Sequence, residues 1–421
     1  MQFTLLKLNP LLVSLLLVGL LFGCSTSKPV IDQNVSILDE SLGEKSKESP
    51  IPIDPEEVSL RVTEKLAELY GTEASKQLHS ASWGNLPGWD ADQLEGSLPA
   101  LIQSCLKLNR HAQWIKLCDS AKALESSDTQ SIRALFEHHF LPFLIVNTDG
   151  STTGKVTGYY EPLLKGSLTK TKEYKYPVYA APDDLITVDT KRHPEFEKYR
   201  GSGRRVGKLI KPYYTRSEID AGLASLKDKE LLWVNDKVEL FFLQIQGSGR
   251  IQLEDGDIVR LGYAKSNGHP YRSIGRILVS RGELTLSEAS MQRIKEWGQE
   301  NPSEIDALLA ENPSYVFFRK LPNHLNGPIG SLGVPLTPKR SVAVDNRFIP
   351  SGFPLFLSTT WPNSSLPLNR LVLAQDKGTA ITGAVRADFF WGFGADAGLQ
   401  AGKMKQPGTM WLLLPKTFLN N

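Results

Sequence analysis

The stretch between residues 341 and 410 constrains the fold of this chain most. It contains the runs SVAVD, RLVLAQDKG and RADFFWGFG. Two short runs rich in β-branched residues and leucine each end in an aspartate, residues 342–344 in Asp345 and residues 371–374 in Asp376. Short apolar runs bounded by glycine and aspartate are typical of strands rather than helices. The stretch therefore predicts a β domain whose strand ends carry carboxylates.

A third aspartate, Asp388, follows a glycine-containing turn and precedes the cluster FFWGFG. Carboxylates at strand ends beside aromatic rings are typical of sites that cleave carbohydrates, because breaking a glycosidic bond requires a proton donor. A structural alternative stays open. Asp345 and Asp376 also fit turns in which the carboxylate accepts backbone N–H groups, and the aromatic residues also fit a core. Asp388 lies between Ala387 and Phe389, away from turn-forming residues.

The composition limits the possible partners. The chain has 421 residues, 41% of them hydrophobic, and a net charge of +2. This size suffices for one or two cores, and the balanced charge gives no argument for a nucleic-acid partner. The seven histidines and three cysteines show no metal-ligand spacing, so no metal site is expected.

The N-terminus predicts export and a lipid anchor. Residues 1–23 hold one lysine and an apolar run that is short for a membrane span, followed by Gly23-Cys24. This arrangement resembles a bacterial lipoprotein signal, which predicts cleavage and lipidation at Cys24. Ser25 favours sorting to the outer membrane. An ordinary secretory signal with a chance cysteine is the alternative. Residues 24–54, rich in Ser, Lys, Glu and Pro, predict a flexible tether.

Cys105 and Cys118 are the other two cysteines. An exported chain reaches an oxidising compartment, so the pair predicts one disulfide. Two buried thiols are the alternative, because Cys105 falls on the apolar face of a predicted helix.

Helical spacing of apolar residues precedes the β-rich part of the chain. It predicts a helix at Pro55–Tyr70, a second over residues 94–108 capped by Asp90 or Asp92, and a third near residues 131–140. The pattern changes to a strand at residues 156–162.

Two motifs suggest surfaces that bind sugars. Adjacent Tyr159 and Tyr160 on one strand point to opposite faces, so one can line a surface while the other packs in a core. Core packing of both is the alternative. Gln244 and Gln246 alternate with apolar residues, which predicts a strand with both amides on one face, suited to sugar hydroxyls and N-acetyl groups. Simple exposure to solvent is the alternative.

Five ordered motifs resemble the membrane-bound lytic murein transglycosylase A family. They are GYYEP at 158–162, FFLQIQGSGR at 241–250, NPSYVFFR at 312–319, GSLGVPLTPKRSVAVD at 330–345 and AQDKG with RADFFWGFG within 374–394. The resemblance implies a mainly β fold with a few helices. A double-psi β-barrel is expected from residues 55–163 plus 313–421, with the three-aspartate segment at 341–415. A smaller β-barrel is expected as an insert at 164–312, with a glycan-binding groove between the two.

The resemblance also implies an activity. Such enzymes cleave the β-1,4 bond between N-acetylmuramic acid and N-acetylglucosamine in peptidoglycan and leave 1,6-anhydromuramyl ends, without metal or cofactor. It implies that Asp388 is the catalytic acid. Our hypothesis from the chemistry is that Asp376 and Asp345 support it, since a nearby anion raises the pKa of an acid. The motifs at 158–162 and 241–250 and their flanks supply the expected substrate-binding residues, Thr157, Tyr159, Tyr160, Gln244, Gln246, Ser248 and Gly249.

The expected partners are peptidoglycan glycan strands, the outer membrane through Cys24, and other murein-processing proteins. The expected location is the periplasmic side of the outer membrane. Two other functions remain open. One is an inverting glycan hydrolase with Asp388 as acid and Asp376 or Asp345 as base. The other is a lipoprotein that binds murein without cleaving it.

Overall fold

A computed structural model describes residues 55–418, except 72–77, 125–127, 324, 326 and 379. The predicted signal peptide, Cys24 and the predicted tether lie outside the described residues. None of the described helices is both long and apolar enough to cross a membrane.

Within the described residues, the helices follow one another in chain order. They are α1 (Pro55–Tyr70), α2 (Ser97–Leu108), α3 (Ala112–Ala123), α4 (Thr129–His139), α5 (Arg216–Asp220), α6 (Lys237–Gln246), α7 (Ile274–Ser280), α8 (Met291–Glu300), α9 (Ile305–Ala310) and α10 (Gly394–Lys403). The helix predicted at Pro55–Tyr70 is confirmed.

The strands of the described residues fall into one large, one medium and one small sheet. They are β1 (Leu78–Ser80), β2 (Phe140–Ile145), β3 (Gly154–Glu161), β4 (Leu163–Ser167), β5 (Tyr176–Tyr179), β6 (Ile186–Thr187), β7 (Ser202–Val206), β8 (Leu209–Lys211), β9 (Glu230–Val234), β10 (Ser248–Gln252), β11 (Ile258–Ser266), β12 (Val316–Leu321), β13 (Ser341–Val344), β14 (Pro354–Thr360), β15 (Pro367–Asp376), β16 (Arg386–Phe393) and β17 (Lys405–Pro415).

The large sheet closes on itself into a barrel. Its strand order is β1-β2-β17-β14-β15-β13-β16-β3, and β17 also pairs with β3. The ring therefore consists of β17, β14, β15, β13, β16 and β3, and β1 and β2 extend it at β17. The pairs β13–β15 and β16–β3 are parallel, and the others in the ring are antiparallel. Both ends of the described chain contribute strands, as expected; the double-psi topology stays a prediction.

Alternate residues of the barrel strands point to opposite sides of the barrel wall. One set is apolar and buried in the largest core, where it fills the interior of the barrel. This set includes Val156, Val342, Val344, Val372, Leu355, Ala387 and Phe389. The residues between them face outward, so Thr157, Ala343 and Asp388 lie on the outer face.

The N-terminal helices are joined to the barrel by a buried ion pair. Asp92 accepts hydrogen bonds from Arg340 at 2.7 and 2.8 Å and from the Leu371 N–H at 2.8 Å. Asp92 was one of two predicted helix caps, but that prediction is wrong, because its carboxylate binds Arg340 and α2 begins only at Ser97.

A disulfide joins two of these helices. Cys105 of α2 and Cys118 of α3 are bonded, with Cα atoms 5.6 Å apart. Both residues are also buried, as the alternative of two buried thiols expected. Burial and the predicted disulfide bond therefore occur together.

A second β domain interrupts the barrel. Its sheet has the order β12-β11-β10-β4-β9-β5, and a bridge between Ala180 and Phe318 brings its two edges together. Because β12 pairs with β11 of this sheet, the chain returns to the barrel after Leu321 rather than at residue 313. Residues 163–321 therefore supply this sheet, close to the predicted 164–312.

The motif FFLQIQ is helical, so the strand predicted there is wrong. The helix α6 begins after Asp236, whose carboxylate accepts the N–H groups of Val238 and Glu239, and it ends at Gly247 with a positive φ of 76°. A cap at each end stabilises the helical conformation even in a segment where polar and apolar residues alternate. Gln244 and Gln246 therefore do not share one face of a strand.

Candidate active site

Four side chains from four strands form a row on the outer face of the barrel. Ala343 of β13 pairs with Asp376 of β15 on one side and with Asp388 of β16 on the other. Asp388 also pairs with Thr157 of β3. Neighbouring strands lie about 4.8 Å apart, so the Cα atoms of the two aspartates are separated by roughly 10 Å. Ala343, between the two aspartates, is buried in a small cluster with Tyr159, Leu336, Ile381 and Phe390.

Asp388 is held by a hydroxyl group rather than by an ion pair. The Thr157 Oγ1 donates to Asp388 Oδ1 at 2.6 Å, and Arg386 Nη2 donates to the same Thr157 Oγ1 at 2.8 Å. The arginine bond fixes Thr157 as the donor to the aspartate. Asp388 is partly exposed, and its Oδ2 has no hydrogen-bond partner among the described residues. Oδ2 is therefore the oxygen available to a substrate.

The surroundings of Asp388 favour its protonated form. Burial raises the pKa of the Asp388 carboxyl, and the nearby charge of Asp376 raises it further. The Thr157 hydroxyl, Arg386 and Lys155 oppose this effect without reversing it. A carboxyl group that stays protonated to a higher pH than usual can donate a proton as a general acid.

Asp376 has both carboxylate oxygens occupied. Tyr159 Oη donates to its Oδ2 at 3.0 Å, and the Ser331 N–H donates to its Oδ1 at 2.8 Å. Burial raises the pKa of Asp376, although these hydrogen bonds oppose the rise. Burial and the charges of both aspartates also raise the pKa of Tyr159, so that its hydroxyl remains a donor. Asp376 is therefore an orienting and electrostatic group of the site.

Asp345 is occupied by an ion pair. Arg347 Nη2 and Nε donate to its two oxygens at 2.7 and 3.0 Å, and the Gly383 N–H donates at 2.8 Å. Burial alone would raise the pKa of Asp345, but Arg347 and Gly383 hold it below the usual value. This carboxylate stays charged and connects the end of β13 to the loop before β16.

The predicted substrate-binding residues divide into two groups. Thr157 and Tyr159 contact the aspartates, as described. Tyr160 points to the other side of β3, where it is buried in the main core and its hydroxyl lies 3.4 Å from the sulfur of Met291. Tyr159 is buried as well, in a smaller cluster with Leu336, Ala343, Ile381 and Phe390, so both tyrosines pack in cores, which was the second alternative. Its hydroxyl group nevertheless reaches Asp376.

The residues of the motif QIQGSG have contacts within the protein. Gln244 is buried and accepts a hydrogen bond from Arg216 at 2.5 Å, and Gln246 accepts the Tyr160 N–H at 3.2 Å. Ser248 and Gly249 are buried in β10. A Cβ atom on Gly249 would lie 2.3 Å from Leu243 Cδ1 and 3.2 Å from the Pro162 carbonyl oxygen, so a larger residue there would displace the Leu243 side chain. Their substrate-binding role stays a prediction.

Sequence reasoning missed Lys155, Arg386 and Lys405, which surround Asp388 on the outer face. Arg386 pairs with Lys155, and Lys405 pairs with Thr157. A signal was present, since Arg386 precedes Asp388 by two residues on a strand and therefore shares its face. Across the described part of the chain, no group of three or more His, Cys, Asp or Glu side chains is arranged to hold a metal ion.

Comparison with known proteins agrees with this arrangement. The model of the MltA specific insert domain matches residues 155–319, and that of the 3D domain matches residues 340–414. The crystal structure of MltA from Neisseria gonorrhoeae, in its monoclinic form, superposes with a TM-score of 0.71 at 39% identity and covers 80% of this chain and 92% of that chain. The chain belongs to the MltA family.

A sequence and a solved structure of MltA from Escherichia coli are also similar. The membrane-bound lytic murein transglycosylase A of strain K12 is 36% identical over 265 residues, which cover 61% of this chain and 64% of that protein. The chain thus matches somewhat less than two thirds of the length of this relative. The structure of E. coli MltA with bound chitohexaose superposes with a TM-score of 0.60 at 28% identity and covers 78% of this chain and 91% of that chain.

Proposed function

We propose that this chain is a lytic transglycosylase that cleaves the β-1,4 bond between N-acetylmuramic acid and N-acetylglucosamine in peptidoglycan. The observation that carries the proposal is Asp388, a carboxyl group with a raised pKa, one oxygen held by Thr157 and the other available. Membership of the MltA family and the chitohexaose-bound relative support a glycan as the substrate.

One carboxyl group suffices for the reaction. Asp388 donates its proton to the glycosidic oxygen, the bond from that oxygen to C1 of the muramyl residue breaks, and N-acetylglucosamine leaves as an alcohol. The C6 hydroxyl of the same muramyl residue then forms a bond to C1 and returns its proton to Asp388. The new 1,6-anhydro ring needs no water, because the nucleophile is already part of the substrate.

Asp376 supports this cycle electrostatically. Its negative charge beside Asp388 disfavours ionisation of the acid and stabilises the positive charge that develops at C1 when the bond breaks. Tyr159 and the Ser331 N–H hold the carboxylate in place.

An inverting hydrolase is the second candidate function. Two carboxylates whose Cα atoms are roughly 10 Å apart on the same face resemble the spacing at which one acid and one base activate water. Against this role, both oxygens of Asp376 already accept hydrogen bonds, which weakens it as a base. The products distinguish the two reactions, because an anhydro end is lighter than a reducing end by one water molecule.

The decisive experiment uses purified protein, isolated sacculi and mass spectrometry. We expect anhydromuropeptides from the wild type and a fall of about a thousandfold in their release by Asp388→Asn, in the range for loss of a general acid. Asp396→Asn removes an exposed aspartate of α10 and serves as the matched control. Reducing ends would establish the hydrolase, and anhydro ends from Asp388→Asn at the wild-type rate would contradict the role of Asp388.

The lipid anchor is part of the same proposal. Cys24 would hold the enzyme at the outer membrane, with the barrel in the periplasm within reach of peptidoglycan and of other murein-processing proteins. The membrane-bound names of the relatives support this placement. Cys24→Ala should move the protein from the membrane fraction to the soluble fraction in cells; a chain that stays membrane-bound would contradict the anchor.

A further inference from the structure

The outer face of the barrel beside Asp388 carries a cluster of positive charges. Lys155 of β3 and Arg386 of β16 are paired residues. Lys155 precedes Thr157 by two positions, and Arg386 precedes Asp388 by two positions. Lys405 of β17 pairs with Thr157 on the other side of β3. Since paired residues and residues two apart share a face, all three side chains lie on the face of Asp388.

Few protein groups neutralise this cluster. Lys155 and Lys405 are exposed, and neither ammonium group forms a hydrogen bond or ion pair with the described residues. Arg386 donates to the Thr157 hydroxyl and to backbone carbonyl groups, none of which is charged. The positive charge is therefore available to a ligand.

A fourth cation comes from the inserted domain. Arg276 of α7 is exposed and lies close enough for its charge to act on Lys155. Partial burial and the charges of Arg386, Lys405 and Arg276 lower the pKa of Lys155, whereas Asp388 acts in the opposite direction. The local field is thus positive in spite of the aspartate, and an anion placed there would relieve the repulsion among the cations.

The distance between the basic residues and Asp388 indicates which anionic group of the substrate they can bind. Two residues along a strand span about 7 Å, so the Cα atoms of Lys155 and Arg386 lie that far from those of Thr157 and Asp388. If Asp388 protonates the glycosidic oxygen, a substituent of the reacting muramyl sugar itself comes within reach. The sugar backbone of peptidoglycan carries no charge, but the muramyl lactyl group carries a peptide with free carboxylates.

We propose that this basic patch, consisting of Lys155, Arg276, Arg386 and Lys405, binds the carboxylates of the stem peptide on the muramyl residue at the scissile bond. The proposal rests on the function proposed above and adds a substrate class to it, peptide-bearing rather than peptide-free glycan strands. The two exposed lysines supply the contacts that distinguish these classes, whereas Arg386 also orients Thr157.

The test compares one pair of variants on one pair of substrates. Lys155→Gln/Lys405→Gln removes the two unpaired lysines, and Lys116→Gln/Lys122→Gln removes two exposed lysines of α3 as the matched control. The substrates are uncrosslinked glycan strands with their peptides and the same strands after an amidase has removed the peptides and the lactyl carboxylates left by that hydrolysis have been converted to methylamides. The measured quantity is kcat/KM for anhydro-end formation at 50 and 300 mM salt.

We expect the patch variant to lose about tenfold in kcat/KM on peptide-bearing strands, because each exposed charge contact contributes up to about fivefold. On stripped strands the loss should be at most about twofold, and the control variant should lose little on either. The wild-type preference for peptide-bearing strands should shrink at 300 mM salt, where screening is stronger. Equal losses on both substrates, or no loss on the peptide-bearing one, would overturn the proposal.

A binding measurement separates this proposal from the function on which it rests. Asp388→Asn, with and without the two lysine substitutions, is titrated with both kinds of strand. Tighter binding of peptide-bearing strands that disappears with the lysines supports the patch, even if the wild type releases no anhydro ends. Anhydro ends from the wild type together with equal binding of both strands would leave the enzymatic function standing and reject the patch.

Discussion

Asp345 directly follows β13 and Asp388 lies in the adjacent strand β16. Their surroundings nevertheless shift the pKa values of the two carboxyl groups in opposite directions. Asp345 accepts four hydrogen bonds from Arg347 and Gly383, and its pKa is held low. Asp388 accepts one hydrogen bond from a hydroxyl, and burial raises its pKa. Both have an arginine two residues away, Arg347 after Asp345 and Arg386 before Asp388.

The difference lies in where each arginine binds. Arg347 binds the carboxylate of Asp345 directly, whereas Arg386 binds Thr157 and reaches Asp388 only through that hydroxyl. A direct ion pair would keep Asp388 ionised and so prevent it from donating a proton. The carboxyl group that we propose as the catalytic acid thus differs from Asp345 in having no direct cation partner among the described residues, and a series of substitutions tests this difference.

The largest effect on stability is expected at the most completely ion-paired carboxylate. Asp92→Ala leaves the buried Arg340 guanidinium without its partner, and loss of one member of a buried pair costs about 3–5 kcal/mol. Urea unfolding should show this loss in the free energy of unfolding. Asp90→Ala, at an exposed aspartate two residues away, is the control. Equal stability of the two variants would show that the pair contributes nothing.

A smaller loss is expected at Asp345. Asp345→Asn removes a charged acceptor from Arg347 and Gly383, which should lower the free energy of unfolding by about 1–3 kcal/mol at neutral pH. Because the folded pKa is depressed, this stabilisation is present above the unfolded value of 3.8 and disappears as the pH falls through the folded pKa. A wild-type advantage that grows toward acidic pH would contradict the ion pair.

Asp388→Asn should change stability in the opposite direction with pH. Its folded pKa is raised, so the wild type loses stability as the pH rises from the unfolded value of 3.8 through the folded pKa. The variant cannot ionise there and should be at least as stable as the wild type at pH 7, with a difference within about 0.5 kcal/mol at acidic pH. Thermal unfolding at several pH values measures this, and a variant that becomes relatively less stable as the pH rises would refute the raised pKa.

The smallest effect is expected at Thr157. Thr157→Val removes the hydroxyl that stabilises the ionised carboxylate, so the pKa of Asp388 rises further and the alkaline limb of the pH–rate profile moves to higher pH. Loss of orientation should also lower kcat by about threefold to tenfold. Thr157→Ser keeps the hydroxyl and should restore the wild-type profile. An alkaline limb that moves to lower pH in Thr157→Val would contradict this role.

The sequence predicted the barrel strands well because their short apolar runs and strand-end aspartates are local signals. It failed at Gln244, where polar and apolar residues alternate in a segment whose ends carry helix caps at Asp236 and Gly247. It also failed at Asp92, because Arg340 lies 248 residues further along the chain. Thr157 was predicted as a site residue from a motif, but its bond to Asp388 joins residues 231 apart, which no local pattern reveals.

The closure of the barrel by β17 has a consequence for how the protein acquires its fold during synthesis. This strand pairs with β2 and β3 from the first part of the described chain and with β14 from the last. Until residues 405–415 are available, the ring stays open, and interior residues such as Val156 and Phe389 have no complete enclosure. Synthesis from the N-terminus therefore yields Asp388 before the barrel that supports it. A chain arrested before β17 contains Thr157, Ala343, Asp376 and Asp388, and it should nevertheless be inactive and easily degraded.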